Sequence, residues 1–189
     1  MKRKRWLERL FVQRIAGGDA DACAELVRAH HADIYGFALH LCHDEHVAQD
    51  ITQETFTAAW SRIGSFNGSC ALGTWLHRIA YNKFVDRHRQ ARHSDIDPAN
   101  LLPARQSSDP GPLENLLADE QSEHLHQAIA RLAAPARQTI ILHYFQGLSY
   151  REMAFVIDEP VGTIKWRTSR ALAQLKRLMQ PGPDNENER

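Results

Sequence analysis

The chain has 189 residues, 23 Lys/Arg against 23 Asp/Glu, and 43% hydrophobic residues. That length allows one or two domains, and that apolar share is enough for packed cores, which excludes a disordered chain. No run approaches the roughly 18 apolar residues that span a membrane, so no membrane insertion is expected.

The first segment, "MKRKRWLERLFVQRI", is basic, and Leu7, Leu10, Phe11 and Ile15 recur at helical spacing. It lacks a long apolar stretch and a small-residue cleavage site, so no secretory signal is expected. Three scattered cysteines (Cys23, Cys42, Cys70) fit reduced thiols and a cytoplasmic location better than a disulfide framework. "LHLCHDEH" (39–46) holds His40, Cys42, His43 and His46. His40 and His43 could share a helix face, but Cys42 points elsewhere, and neither CxxC nor HExxH spacing is present. No metal and no cofactor are expected.

"VAQDITQETFTAAWSRI" (47–63) reads as an amphipathic helix with Ile51, Phe56, Ala59, Trp60 and Ile63 as its buried stripe. Asp50, Gln53, Glu54 and Thr57 line the other side. "ALGTWLHRIAYNKFVDRHRQ" (71–90) is a second long helix with Leu72, Trp75, Leu76 and Ile79 as core. Arg78, Asn82 and Arg89 share a different face, with Tyr81 and Val85 beside it. Cations take phosphates, amides read base edges and rings stack on bases, so this face suits single-stranded nucleic acid.

Residues 92–118, "RHSDIDPANLLPARQSSDPGPLENLLA", have the Pro/Ser-rich composition of a linker. Helical pattern resumes near Leu113 and runs to about Gln180, followed by a disordered tail, "PGPDNENER". In "LSYREMAFVI" (148–157), Ser149 and Glu152 form a capping box. "DEP" then breaks the pattern. Asp158 tolerates a left-handed turn, and Pro160 suits the first turn of a new helix. On that new helix Val161, Ile164, Thr168, Ala171, Leu172, Leu175 and Met179 share the core face, while Trp166 lies nearly opposite, between Thr163 and Arg170. Two such helices around a tight turn make a helix-turn-helix, whose second helix fits the DNA major groove.

Neutrality hides strong local charge. Residues 1–92 carry 13 Lys/Arg against 10 Asp/Glu, residues 93–123 carry 1 against 7, and residues 124–180 carry 8 against 3. The span 160–180 holds five cations and no acid. Phosphate attraction depends on local charge, and solvated faces usually mix both signs.

Three stretches carry a family resemblance. "DITQETF" followed by "AAW" resembles region 2.2 of bacterial sigma factors of the extracytoplasmic-function group. "TWLHRIAYNKFVDRHR" resembles their regions 2.3 to 2.4, and "GLSYREMAFVIDEPVGTIKWRTSRAL" resembles region 4.2. Order and spacing match over about nine tenths of the chain. The resemblance implies an all-α protein of two small helical domains. Region 2 is expected at 1–91, an acidic linker at 92–118, region 4 at 119–180 and the tail at 181–189. It further implies that Asp50, Gln53, Glu54 and Thr57 bind core RNA polymerase. Asn82 would lie beside the pocket for an unstacked promoter base, with Asn67 in the loop 65–73 completing it and Arg78, Arg87 and Arg89 on nearby phosphates. Thr163, Lys165, Trp166, Arg167 and Arg170 would read the upstream promoter DNA. The acidic linker would thread the polymerase's RNA channel, and an anti-sigma factor is implied as a further partner. The chain departs from the family where Asp158 and Glu159 replace a glycine and an apolar residue, where the first region 4 helix has its proline displaced to Pro135, and at Trp166.

There is no P-loop, G-x-S-x-G, HExxH or paired-carboxylate pattern, so no enzyme is expected. The competing reading is a helix-turn-helix regulator that binds duplex DNA without being a polymerase subunit. The N-terminal motifs and the acidic linker argue against it. If the linker charge acts in the RNA channel, replacing the seven acidic residues of 93–123 with their amides impairs abortive and productive synthesis more than promoter binding, as measured by in vitro transcription beside a gel-shift assay.

Overall fold

Helix starts and stops follow local chemistry in the computed structural model, which describes residues 2–93 and 124–180. Helix α1 (Lys2–Ala16) ends at a Gly-Gly pair whose second member, Gly18, has φ 81°, a conformation glycine adopts cheaply. Asp19 caps α2 (Ala20–Cys42), accepting from Ala22 N at 3.0 Å and pairing with Arg14 at 2.7 Å. Ala22, Leu26, Ile34, Phe37, Ala38 and Leu41 form the buried stripe of α2. His43 closes that helix at φ 55°, and Asp44 caps α3 (Glu45–Arg62) through Val47 N at 2.9 Å. "LHLCHDEH" is therefore a helix end followed by a helix start. His40 Nδ1 meets Gly36 O at 2.6 Å, and Cys42 Sγ donates to Asp44 O at 3.3 Å. Among the described residues no three His, Cys, Asp or Glu side chains gather as a metal would require.

On α3 the expected stripe needs one correction. Ile51, Phe56, Ala59 and Ile63 are buried, but Trp60 is 43% exposed. Thr52 and Thr55 take inward positions instead, their hydroxyls donating to Ala48 O and Ile51 O at 2.7 and 2.6 Å. A threonine satisfied by its own helix buries its methyl without an orphaned hydroxyl. A short 3₁₀ turn (Ile63–Ser65) leads into a loop and then α4 (Leu72–His93). Phe66 packs edge-on against Trp75 with ring centroids 5.5 Å apart, and Leu72 N donates to Glu8 Oε1 at 2.8 Å. The loop is thereby tied to α4 at one end and to α1 at the other.

The second lobe begins with the helical residues 124–130 (α5), followed by α6 (Ala134–Ile140) with Pro135 in its first turn, where a missing N–H costs nothing. A π-helical turn, Ile141–Phe145, widens the winding, with Gln146 N bonding Ile141 O at 3.1 Å. Helix α7 (Tyr150–Ile157) has the expected capping box, and Asp158 makes the turn at φ 65°, ψ 43°. Helix α8 (Val161–Met179) follows Pro160 and buries Ile164, Thr168, Ala171 and Leu175. Leu172 and Met179, expected in its core stripe, are exposed because the stripe narrows to the i, i+4, i+7 and i+11 positions. No strand occurs among the described residues, in keeping with the all-α expectation, and no described helix is long and apolar enough to cross a membrane. Residues 94–118 of the expected linker, and the tail 181–189, lie outside the described residues.

Two apolar clusters hold the chain together. One small cluster joins α5, α6 and α8 through Ala128, Ile129, Leu132, Ile140, Ala171 and Leu175. The larger one begins at Val12, runs through α2, α3 and α4, and continues into Ile141, Leu142, Leu148, Met153, Val156, Ile157 and Ile164. The helix-turn-helix thus packs directly on the first lobe. Ile164, fully buried in that cluster, and Trp166, 60% exposed on the same helix, should separate in a melting experiment. Ile164→Ala is expected to cost about 2–5 kcal/mol and Trp166→Ala within about 0.5 kcal/mol, by urea denaturation of the full chain.

Candidate nucleic-acid and polymerase interfaces

Helix α3 carries the first set of expected site residues. Asp50, Gln53 and Thr57 are exposed and Glu54 is half-buried. The two carboxylates are already engaged. Arg87 of α4 bonds Asp50 Oδ2 at 3.2 Å and Glu54 Oε1 at 2.5 Å, and Lys83 Nζ lies 3.4 Å from Glu54 Oε2. The hydrogen bond from Arg87 holds the Glu54 carboxyl below its ordinary range, and the same bond raises Arg87. Thr57 turns its hydroxyl to Gln53 O at 2.9 Å, leaving its methyl outward. Trp60 joins this face. Seven residues at about 100° each bring it within roughly 20° of Gln53. That spacing was available in the sequence, and the pull of an apolar residue toward the core stripe obscured it.

Helix α4 divides its cations between opposite sides. Asn82 and Arg89 lie on an exposed face with half-buried Val85 between them. Arg78, on the same face one turn earlier, is occupied by the other lobe. Its guanidinium donates to Phe155 O at 2.9 Å and Asp158 Oδ1 at 3.1 Å, and it stacks over the Phe155 ring at 4.6 Å. Arg87 points to α3, away from this face. In the preceding loop Asn67 is exposed. It accepts from Ser69 N at 2.9 Å, and Gly68 turns at φ 70°. The loop residue and Asn82 are thus both open to solvent.

On α8 the predicted face is open. Lys165, Trp166 and Arg170 are exposed and Thr163 is half-buried. The Arg170 guanidinium sits 5.3 Å from the Trp166 ring centre, a cation–π arrangement that holds both side chains outward. Arg167 stands apart from them. It pairs with Glu159 at 2.6 Å, and only 18% of its side chain is exposed. Glu159 therefore ties the turn to α8.

Comparison with known proteins shows the family. The family described as Sigma-70 region 2 matches residues 26–94, and Sigma-70, region 4 matches residues 122–175. The RNA polymerase sigma-H factor of Pseudomonas aeruginosa is 34% identical over 179 residues, covering 90% of this chain and 93% of that one. The ECF RNA polymerase sigma-E factor of Escherichia coli is 31% identical over 185 residues, covering 92% and 95%. Among solved structures, the sigma factor RpoE of Bartonella quintana, in complex with the anti-sigma factor NepR, superposes with a TM-score of 0.68 at 26% identity, covering 85% of this chain and 98% of that one. The chain belongs to the sigma-70 family, in its extracytoplasmic-function group. It is an alternative sigma factor of RNA polymerase rather than a free-standing duplex-binding regulator.

The Glu54 pair has a testable pH signature. A carboxyl held low in the folded state adds stability above its unfolded pKa and loses it as pH falls below that value. The pair is about one-third exposed, so its contribution is below about 1 kcal/mol. Glu54→Gln should therefore lower the urea midpoint at pH 7 and differ progressively less from wild type as pH falls below the usual carboxylate range of about 4.3.

Proposed function

We propose that the α3 face of Asp50, Gln53, Glu54 and Thr57 docks on core RNA polymerase, with Trp60 extending it. The open face of α4, with Asn82 and Arg89 and the loop around Asn67, takes the unpaired strand of the downstream promoter element. Arg78 joins it once Asp158 lets go, whereas Arg87, on the opposite side of α4, stays with Asp50 and Glu54 and positions α3. The α8 face of Thr163, Lys165, Trp166 and Arg170, with Arg167 at its edge, enters the major groove of the upstream element, cations on phosphates or guanine edges and the indole on sugar or a thymine methyl. In this reading residues 1–91 and 119–180 are the two binding domains, 92–118 the acidic tether in the RNA channel, and 181–189 a tail. The chain works in the cytoplasm and has no catalysis of its own, because the polymerase supplies the chemistry. An anti-sigma factor is its natural regulator, as with the Bartonella relative's NepR.

The observation that carries this reading is that one chain presents two separate outward faces suited to nucleic acid, on α4 and on α8, while the α3 face remains open to a protein partner. Because Asp50 and Glu54 also hold Arg87, reversing their charge would disturb the fold as well as any docking. Gln53 and Thr57 avoid that ambiguity. The pair Gln53→Arg and Thr57→Arg should weaken core binding by about ten-fold or more while circular dichroism and upstream-element binding stay unchanged. Wild-type run-off transcription from the folded double variant would remove α3 from the polymerase interface.

A further inference from the structure

Two arginines on α8 use their guanidinium groups in different ways. Arg167 directs its N–H edge to Glu159 at 2.6 Å, and only 18% of its side chain is exposed. Arg170 sits over the Trp166 indole, with Cζ 5.3 Å from the ring centre. A guanidinium carries its five N–H donors in its plane and none on its faces. Lying over an indole therefore leaves the donors of Arg170 free for a planar acceptor, whereas Glu159 has already taken the edge of Arg167. The indole is 60% exposed, and Lys165 and Ser169 beside the couple are exposed as well. Behind it Ile164, Thr168 and Ala171 are buried, so the couple stands on a fixed helix. The span 160–180 contains no acid to draw Arg170 away.

Spacing sets the reach of the couple. Positions four apart on a helix are separated by about 6 Å along its axis, close to two base steps of about 3.4 Å. Van der Waals contact between the two side chains draws their tips to a layer of about 3.5–4.0 Å, which matches a single step. In the major groove guanine offers O6 and N7 in the plane of the base, and thymine offers its C5-methyl. With Arg170 on a guanine, the indole lies at the level of the neighbouring base pair. Apart from one N–H donor its surface is apolar, so a methyl group is its favoured neighbour there. Cytosine presents an N4 amino donor instead, which the indole cannot satisfy. Methylation of cytosine at C5 restores the group that thymine carries at the same position.

We propose, on the reading of α8 as the upstream-DNA face, that Trp166 and Arg170 act as one reader of a guanine beside a C5-methylated pyrimidine. Promoter choice then depends on a single methyl group, and 5-methylcytosine can stand in for thymine. Arg170 supplies the guanine preference through its free donors, and Trp166 supplies the methyl preference through its open apolar surface. Arg167, held by Glu159, takes no part in this step.

The test uses the full chain bound to core RNA polymerase, with upstream duplexes selected from a random library as the probe. The selected element should hold a thymine in the base pair next to a guanine. Deoxyuridine at that thymine, which removes only the methyl, should weaken binding about three- to five-fold. Cytosine there should bind no better than deoxyuridine, and 5-methylcytosine should bind about three- to five-fold more tightly than cytosine. At the guanine, 7-deazaguanine, which removes the N7 acceptor, should weaken binding by about ten-fold. Both side chains are exposed, so neither alanine variant disturbs the core. Trp166→Ala should bind the thymine and deoxyuridine duplexes alike, and Arg170→Ala should be indifferent to 7-deazaguanine. A selected element without a thymine–guanine neighbour, or a methyl preference that survives Trp166→Ala, overturns the paired reader. If Arg170→Ala still weakens upstream binding in that case, α8 remains the DNA face. Wild-type upstream binding by both alanine variants would remove α8 from DNA contact altogether.

Discussion

Helix α4 has to satisfy two neighbours at once, and the rest of the structure depends on that. Leu76 and Ala80 are buried in the larger cluster with α2 and α3, while Thr74 and His77, two positions before Leu76 and one after it, are buried under the second lobe. A helix gripped on two sides has little free surface. Asn82, Asp86 and Arg89 are exposed on the strip that neither neighbour claims. The position of any DNA contact on the first lobe is therefore set by packing before it is set by charge. The second lobe alone has a small core of six buried residues, and the helix-turn-helix gains much of its apolar burial from the larger cluster.

Electrostatics in this chain is a matter of exchange. Asp50 and Glu54 are held by Arg87, Arg78 by Asp158, and Arg167 by Glu159. A partner that uses any of these groups must replace an existing pair rather than meet a bare charge. Because all three arrangements are partly exposed, each is worth about 1 kcal/mol or less, so replacement is inexpensive. Lys165 and the stacked Trp166–Arg170 couple need no such exchange. The α8 face proposed for upstream DNA is thus available at once, and the proposed α4 face conditionally.

Much of this was legible in the sequence where chemistry is local. The capping box at Ser149–Glu152, the left-handed turn at Asp158, the helix start after Pro160 and the outward Trp166 each depend on residues within a turn of one another, and each is as expected. The readings that failed involve a choice between faces that only tertiary packing makes. Trp60 fits a core stripe by its apolar bulk, yet two threonines with self-satisfied hydroxyls fill the inward slots. Leu172 and Met179 were likewise assigned inward on an apolar stripe wider than the neighbours could cover. The π-helical turn at Ile141–Phe145 had no sequence signal in the reading. Its effect is to bury Ile141 and Leu142 side by side while leaving Tyr144 outside. The pairing of Arg87 with Asp50 and Glu54 spans more than thirty positions in sequence. Helical periodicity speaks only to one helix at a time, so it could place Arg87 on α4 but not name its partner.

Among the described residues two non-glycine residues, His43 and Asp158, take left-handed backbone. His43 ends α2 and donates its N–H to Leu39 O, while its ring is half-buried with Nε2 lacking a hydrogen-bond partner among the described residues. Burial, reinforced by Arg137, His40 and His126, pushes its pKa down, so the neutral ring is favoured and serves as packing. Asp158 has no comparable burial to offset its backbone cost, since most of its side chain is in water. Its backbone N–H donates to Ala154 O, closing α7 as His43 closes α2, and its carboxylate adds the bond to Arg78 across the seam. Strain offset by packing belongs to a fixed structure. A left-handed residue whose N–H closes the helix keeps that bond when an exposed ion pair is exchanged, so the turn at Asp158 holds its shape whether or not Arg78 is engaged.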